Sequence, residues 1–161
     1  MLFRSKALIA AWHGKGRASY AITPRFAITS SPEQMEMAGA LAAEHPDCHV
    51  QTHLSENRAE ISATADAFPS SEDYLGVYAD HGLLHDRSLF AHAVHLSERE
   101  WGAMQHARSA IAHCPDSNFF LGSGCMRLAE ACRRGLRVGI GTDIGGGRSF
   151  SVPRCAARGY D

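Results

Sequence analysis

CHVQTHLSENRAEI, residues 48–61, begins as an apolar, strand-like run and ends as a polar, helix-like one. His53 and Glu56 stand at the junction. Four other stretches read as short, largely apolar strands rich in β-branched or aromatic residues: ASYAITPRF (18–26), SLFAHAV (88–94), SAIAHC (109–114) and LRVGIGTD (136–143). Each is followed by a turn-like or capping segment, as expected for strands of a parallel sheet covered on both faces. Helix signals fill the gaps. Ser31 precedes Pro32 at a first helical position and Gln34 at the reciprocal capping position, and Ser97 with Glu100 repeats the box. Gly135 follows CMRLAEACRR where a C-terminal glycine would sit. Strands alternating with helices predict a parallel α/β architecture.

Bulk properties bound what such a fold could do. The 161 residues suffice for one domain with a sizeable core. With 16 basic against 17 acidic residues, no charge excess draws the chain to nucleic acid or an anionic membrane. No apolar run approaches the roughly 20 residues of a membrane span, and MLFRSKALIAAW lacks a signal-peptide cleavage site. Five cysteines without a CxxC pair suggest neither a disulfide framework nor a structural zinc knuckle, and favour a reduced, cytoplasmic setting.

Arg25, His53, His92, His113 and Asp143 each fall at or near the C-terminal end of a different expected strand, at intervals of 28, 39, 21 and 30 residues. A lone histidine at a strand end is usually structural. Five polar groups on five strands match a (β/α)8 barrel, where catalytic groups gather at one face from several strand ends. Histidine and aspartate at neighbouring strand ends can ligate a divalent metal such as zinc. From position alone, Glu56 reads as a first-turn glutamate favouring a helix N-terminus, and Arg25 as a surface arginine after a strand. GIGTDIGGG lacks the spacing of a dinucleotide fingerprint, so its glycines are expected to turn the loop behind Asp143.

WHGKGR (12–17), YAITPRF (20–26), THLSEN (52–57), FAH (90–92), IAHCPDSNFFLGSG (111–124) and GTDIGGGRSFS (141–151) together resemble the guanine deaminases of the amidohydrolase superfamily. The resemblance implies a partial (β/α)8 TIM-type barrel with about five βα units visible. It implies hydrolysis of guanine to xanthine and ammonia by a zinc-bound hydroxide. His53 and Asp143 then match metal ligands, His92 the histidine that holds water or substrate near the metal, and Glu56 the proton shuttle. Arg25 and Phe26 match the pair that holds the purine. His113 and Cys114 could be ligands in principle, but His113 ranks below His92; the other histidines are expected to be surface or structural.

The departures shape the remaining expectations. The family's first strand carries an HxH ligand pair, and no HxH occurs here. The closing SVPRCAARGYD breaks the expected helical pattern at Pro153. Residues 1–161 are therefore expected to form an incomplete barrel domain, lacking the HxH strand and the C-terminal strands, with association into a homo-oligomer an open expectation. The alternatives are an aminohydrolase of another purine, pyrimidine or triazine, or a non-catalytic truncated remnant.

Overall fold

The structure, a computed structural model, describes residues 2–160. Its sheet has five parallel strands in sequential order: β1 (Ala21–Ile22), β2 (His49–Leu54), β3 (Ser88–His92), β4 (Ala110–His113) and β5 (Arg137–Ile140). The helices are α1 (Leu2–Trp12), α2 (Pro32–Glu44), α3 (Arg58–Ala67), α4 (Tyr74–Asp80), α5 (Glu98–Ala107), α6 (Pro115–Phe120), α7 (Leu128–Arg133) and α8 (Val152–Tyr160). Parallel neighbours joined through helices make an arc of a TIM-type barrel, with about five βα units. Among the described residues, no helix is long and apolar enough to cross a membrane.

Local signals place most boundaries. Both serine capping boxes form, Ser31 with Gln34 and Ser97 with Glu100. Gly135 adopts φ +70° just past α7, a left-handed conformation that glycine enters without steric cost. The first strand is shorter than expected. Its ladder runs only from Ala21↔His49 to Ile22↔Val50, because Pro24 has no N–H to give. Pairing resumes at Arg25, whose carbonyl accepts the His53 N–H at 3.3 Å. The closing segment is helical after all. Pro153 is the second residue of α8, in the first turn, where its missing N–H breaks no intrahelical bond.

Alternation along the strands shows where the core lies. In β2, Val50, Thr52 and Leu54 are buried while His49 and Gln51 are exposed and His53 half-buried. Val50, Leu54, Phe90 and Ile111 form one core with Met35 and Leu41 of α2, Leu75 and Tyr78 of α4, and Trp101 and Met104 of α5. So the sheet is packed by these helices on one face rather than equally on both. The opposite row of His53, Ala91, Ala112 and Gly139, aligned by the strand register, stays half-buried or exposed.

Candidate active site

His53 lies on this less covered row. Its Nδ1 is 2.6 Å from the Arg25 carbonyl oxygen. A carbonyl only accepts, so Nδ1 carries the proton and the Nε2 lone pair is left for another partner. His92 reaches the same row differently. It pairs in register with the buried Leu54, and a regular pleat would send its ring to the helix side. Its φ of +70° breaks the alternation, and the ring stacks on His53 with centroids 5.2 Å apart. Ser55 (φ +48°) and Asp143 (φ +45°) are left-handed at the same end of the sheet. Each such residue costs of the order of 1–3 kcal/mol, strain that concentrates at functional sites.

The result is convergence. One donor atom each from His53, His92 and Asp143 lies within 4.8 Å of the others. Glu56 Oε2 is 3.7 Å from His92 Nε2. The Phe26 ring is centred 4.8 Å from that of His53, and the Arg25 guanidinium lies 4.9 Å from the Phe26 centroid. All six residues expected at the site on resemblance come together at the strand ends. Two imidazoles with a carboxylate, one imidazole already oriented through its outer nitrogen, form a nitrogen–oxygen donor set that suits zinc.

Glu56 is not a first-turn glutamate. Asn57 caps α3, and Glu60 closes the box, its carboxylate accepting the N–H groups of Glu56 and Asn57. With Glu60 in that role, the Glu56 side chain turns to the site, where Ser123 Oγ donates to it at 3.1 Å. The Asn57–Glu60 pattern was there to be read one residue beyond THLSE.

Sequence reasoning also missed the supports. Ser117 Oγ donates to Asp143 Oδ2 at 2.5 Å, and Asn118 Oδ1 sits 2.9 Å from His92 Nδ1. The Arg148 N–H and guanidinium both donate to the buried Asp116 at 2.7 Å, and this pairing holds the Asp116 carboxyl below the usual carboxylate range. The glycines turn the loop as expected: the N–H groups of Gly146 and Gly147 bond back to the Asp143 carbonyl. A Cβ on Gly146 would stand 2.5 Å from Asp143 Oδ2. The signal for these supports was the polar run Asp116-Ser117-Asn118, all buried at the start of α6.

His113 and Cys114 stay outside the donor set. His113 keeps the regular pleat and is buried, with Nδ1 unpartnered among the described residues. Burial, and then the charge of His92, lowers its pKa below 6.5. Burial, with the Asp143 charge second, pushes the Cys114 thiol up to about 12, so it remains a thiol. A second group, His13, Asp47 and Cys48, lies by the N-terminal end of β2, opposite the end that carries His53. Both His13 nitrogens are engaged there, Nδ1 by the Tyr20 N–H and Nε2 by Asp47, which makes it a hydrogen-bonded link.

Comparison with known proteins places this geometry. The chain is 48% identical to the guanine deaminase of Escherichia coli K12, over 98% of its own length and 36% of the relative's. The solved E. coli guanine deaminase superposes with a TM-score of 0.97, covering 99% of this chain and 37% of that one. Guanine deaminase from C. acetobutylicum, solved with guanine in its active site, is 34% identical with a TM-score of 0.92 (98% and 38% covered). A mutant atrazine chlorohydrolase from Arthrobacter aurescens TC1, solved with zinc and atraton, is 25% identical with a TM-score of 0.79 (88% and 31% covered). The chain thus spans little more than a third of the guanine deaminases it matches. The Amidohydrolase family pattern, of a family typically metal-dependent, matches residues 4–160, and the chain belongs to that family.

Proposed function

We propose that this chain carries much of the active site of a guanine deaminase, which takes up water and converts guanine to xanthine and ammonia. The observation that carries the reading is the meeting of His53, His92, Asp143 and Glu56 at one end of the sheet, in a chain 48% identical to a guanine deaminase. His53, through Nε2, and Asp143 would hold a zinc ion. Bound there, zinc supplies Lewis-acid activation and lowers the pKa of a water. Asp143 takes the proton that the attacking water gives up. Glu56 delivers a proton to a ring nitrogen of the purine, which makes the carbon bearing the exocyclic amine electrophilic. His92, facing Glu56 and stacked on His53, orients the water or the substrate. Phe26 offers a face for the purine, and Arg25 a planar set of donors for its acceptor edge.

Residues 1–161 then act as one barrel domain, here with five of the eight strands of a closed barrel. The HxH pair of the family pattern would come from strands outside these 161 residues, because no HxH occurs within them and a second copy could not supply one. The five cysteines are all free thiols, which supports a reducing, cytoplasmic setting.

Xanthine formation from guanine by the zinc-supplied chain tests the reading. Glu56→Gln is expected to keep the metal and lower turnover by about 10²–10⁴-fold; loss of metal together with turnover would sink the shuttle role. Preference for an adenine-, cytosine- or triazine-type substrate would overturn the guanine assignment. A folded, zinc-loaded chain that turns over none of them would refute catalysis by this chain.

A further inference from the structure

One short segment, residues 117–123, touches three groups of the proposed site, Asp143, Glu56 and His92. Ser117 holds Asp143, Ser123 holds Glu56, and Asn118 meets His92. Asn118 differs from the two serines. It is fully buried, and its Nδ2 has no partner among the described residues. A buried amide with one end unmatched is unfavourable, so its placement is explained by what the other end does. That end, Oδ1, lies 2.9 Å from His92 Nδ1. The backbone around it is fastened independently: the Ser123 and Gly124 N–H groups both bond to the Asn118 carbonyl, and the Asn118 N–H to that of Cys114. The side chain is thus aimed by a turn that does not depend on His92.

We infer that Asn118 is a positioning residue that fixes His92 in the tautomer with its proton on Nδ1. The role rests on the reading of His92 as part of the site. An amide oxygen accepts only, so the His92 proton sits on Nδ1 and the Nε2 lone pair faces the Glu56 side. His92 then presents an acceptor to water or substrate. Without Asn118, neither the ring orientation nor the tautomer is set, and the left-handed backbone at His92 would deliver a ring with no defined donor and acceptor ends. Second partners of this kind orient site histidines by holding the outer nitrogen.

The test is a two-bond ¹H–¹⁵N correlation spectrum of the histidine-labelled, metal-free chain at neutral pH, with the His92 signals assigned by their disappearance in His92→Gln. The wild type is expected to show a protonated Nδ1 and an unprotonated Nε2. Asn118→Asp, which keeps an acceptor, is expected to preserve that pattern, and Asn118→Leu to lose it. A wild-type ring with its proton on Nε2 overturns the role without any variant, as does an unchanged pattern in a folded Asn118→Leu. Where guanine turnover is measurable, Asn118→Leu should lower kcat about 10–100-fold, with KM unchanged and Asn118→Asp restoring much of the rate. A wild type with the Nδ1 proton that forms no xanthine supports the positioning role while refuting the proposed activity. Turnover by a chain with the Nε2 proton does the opposite.

Discussion

The two flanks of the sheet that carry His53 and Asp143 are held in different ways. On the β2 flank, one buried hydroxyl does most of the holding. Tyr78 of α4 donates to the His53 carbonyl at 2.7 Å, accepts the Ala27 N–H at 3.1 Å and sits 3.2 Å from the Thr52 hydroxyl. Burial pushes its pKa up to about 12, so the hub is neutral throughout the working range. On the β5 flank, Asp143 hangs on a loop fastened by Ser117, by two glycine N–H groups and by the Asp116–Arg148 ion pair, whose arginine is half exposed. The β2 support is part of the core. The β5 support is a clamp at the surface, so changes on the first flank should be felt as stability and changes on the second as site geometry.

Tyr78→Phe would break this contrast most directly. It leaves the His53 carbonyl, the Ala27 N–H and the Thr52 hydroxyl one partner short, at about 1–3 kcal/mol. At roughly 2–4 °C per kcal/mol for a chain of this size, the melting temperature should fall by several degrees. An unmoved melting temperature would mean that the hub is dispensable. Gly146→Ala sharpens the other half. The added methyl must displace the Asp143 carboxylate or Ser117, and zinc affinity should weaken about 10–100-fold. The metal-free melting temperature should shift less than in Tyr78→Phe. A larger shift would show that the clamp also carries global stability.

The smallest effect is expected from β4, between the flanks. Burial and the neighbouring His92 hold the folded pKa of His113 below its ordinary 6.5. A base kept neutral by folding contributes stability that is present above about pH 6.5 and is lost as the pH falls from there toward the lower folded value, because the unfolded chain then binds the extra proton. Melting of the metal-free chain between pH 7 and 5 should show this decline, and His113→Gln should flatten it. A slope identical in the variant would remove His113 as its source.

Much of the fold was legible because its signals are local. Ser31-Pro32-Glu33-Gln34 and Ser97 to Glu100 announce helix starts through hydrogen bonds spanning three residues. The alternation His49, Val50, Gln51, Thr52, His53, Leu54 reports a strand with one packed face. Shorter-range readings failed where a neighbour took over a role. Glu56 looked like the glutamate of a helix start until Glu60 proved to hold that position. Pro153 looked like an interruption because nothing in SVPRCAARGYD alone shows that it stands in a first turn rather than a helix interior.

By itself, then, the sequence determined the order of strands and helices, the caps, and the placing of Arg25, His53, His92 and Asp143 at strand ends. These follow from residue periodicity and from contacts within about four residues. The tertiary structure alone decided which strand-end groups meet. His92 and His113 occupy equivalent places in the sequence pattern, yet a left-handed backbone turns one toward His53 while a regular pleat keeps the other buried beside the helices. The partners that aim the site lie far along the chain: 26 residues separate Asn118 from His92 and Ser117 from Asp143, and 67 separate Ser123 from Glu56. No periodicity encodes such pairs, because they exist only once the parallel register has brought separate strand ends to one level.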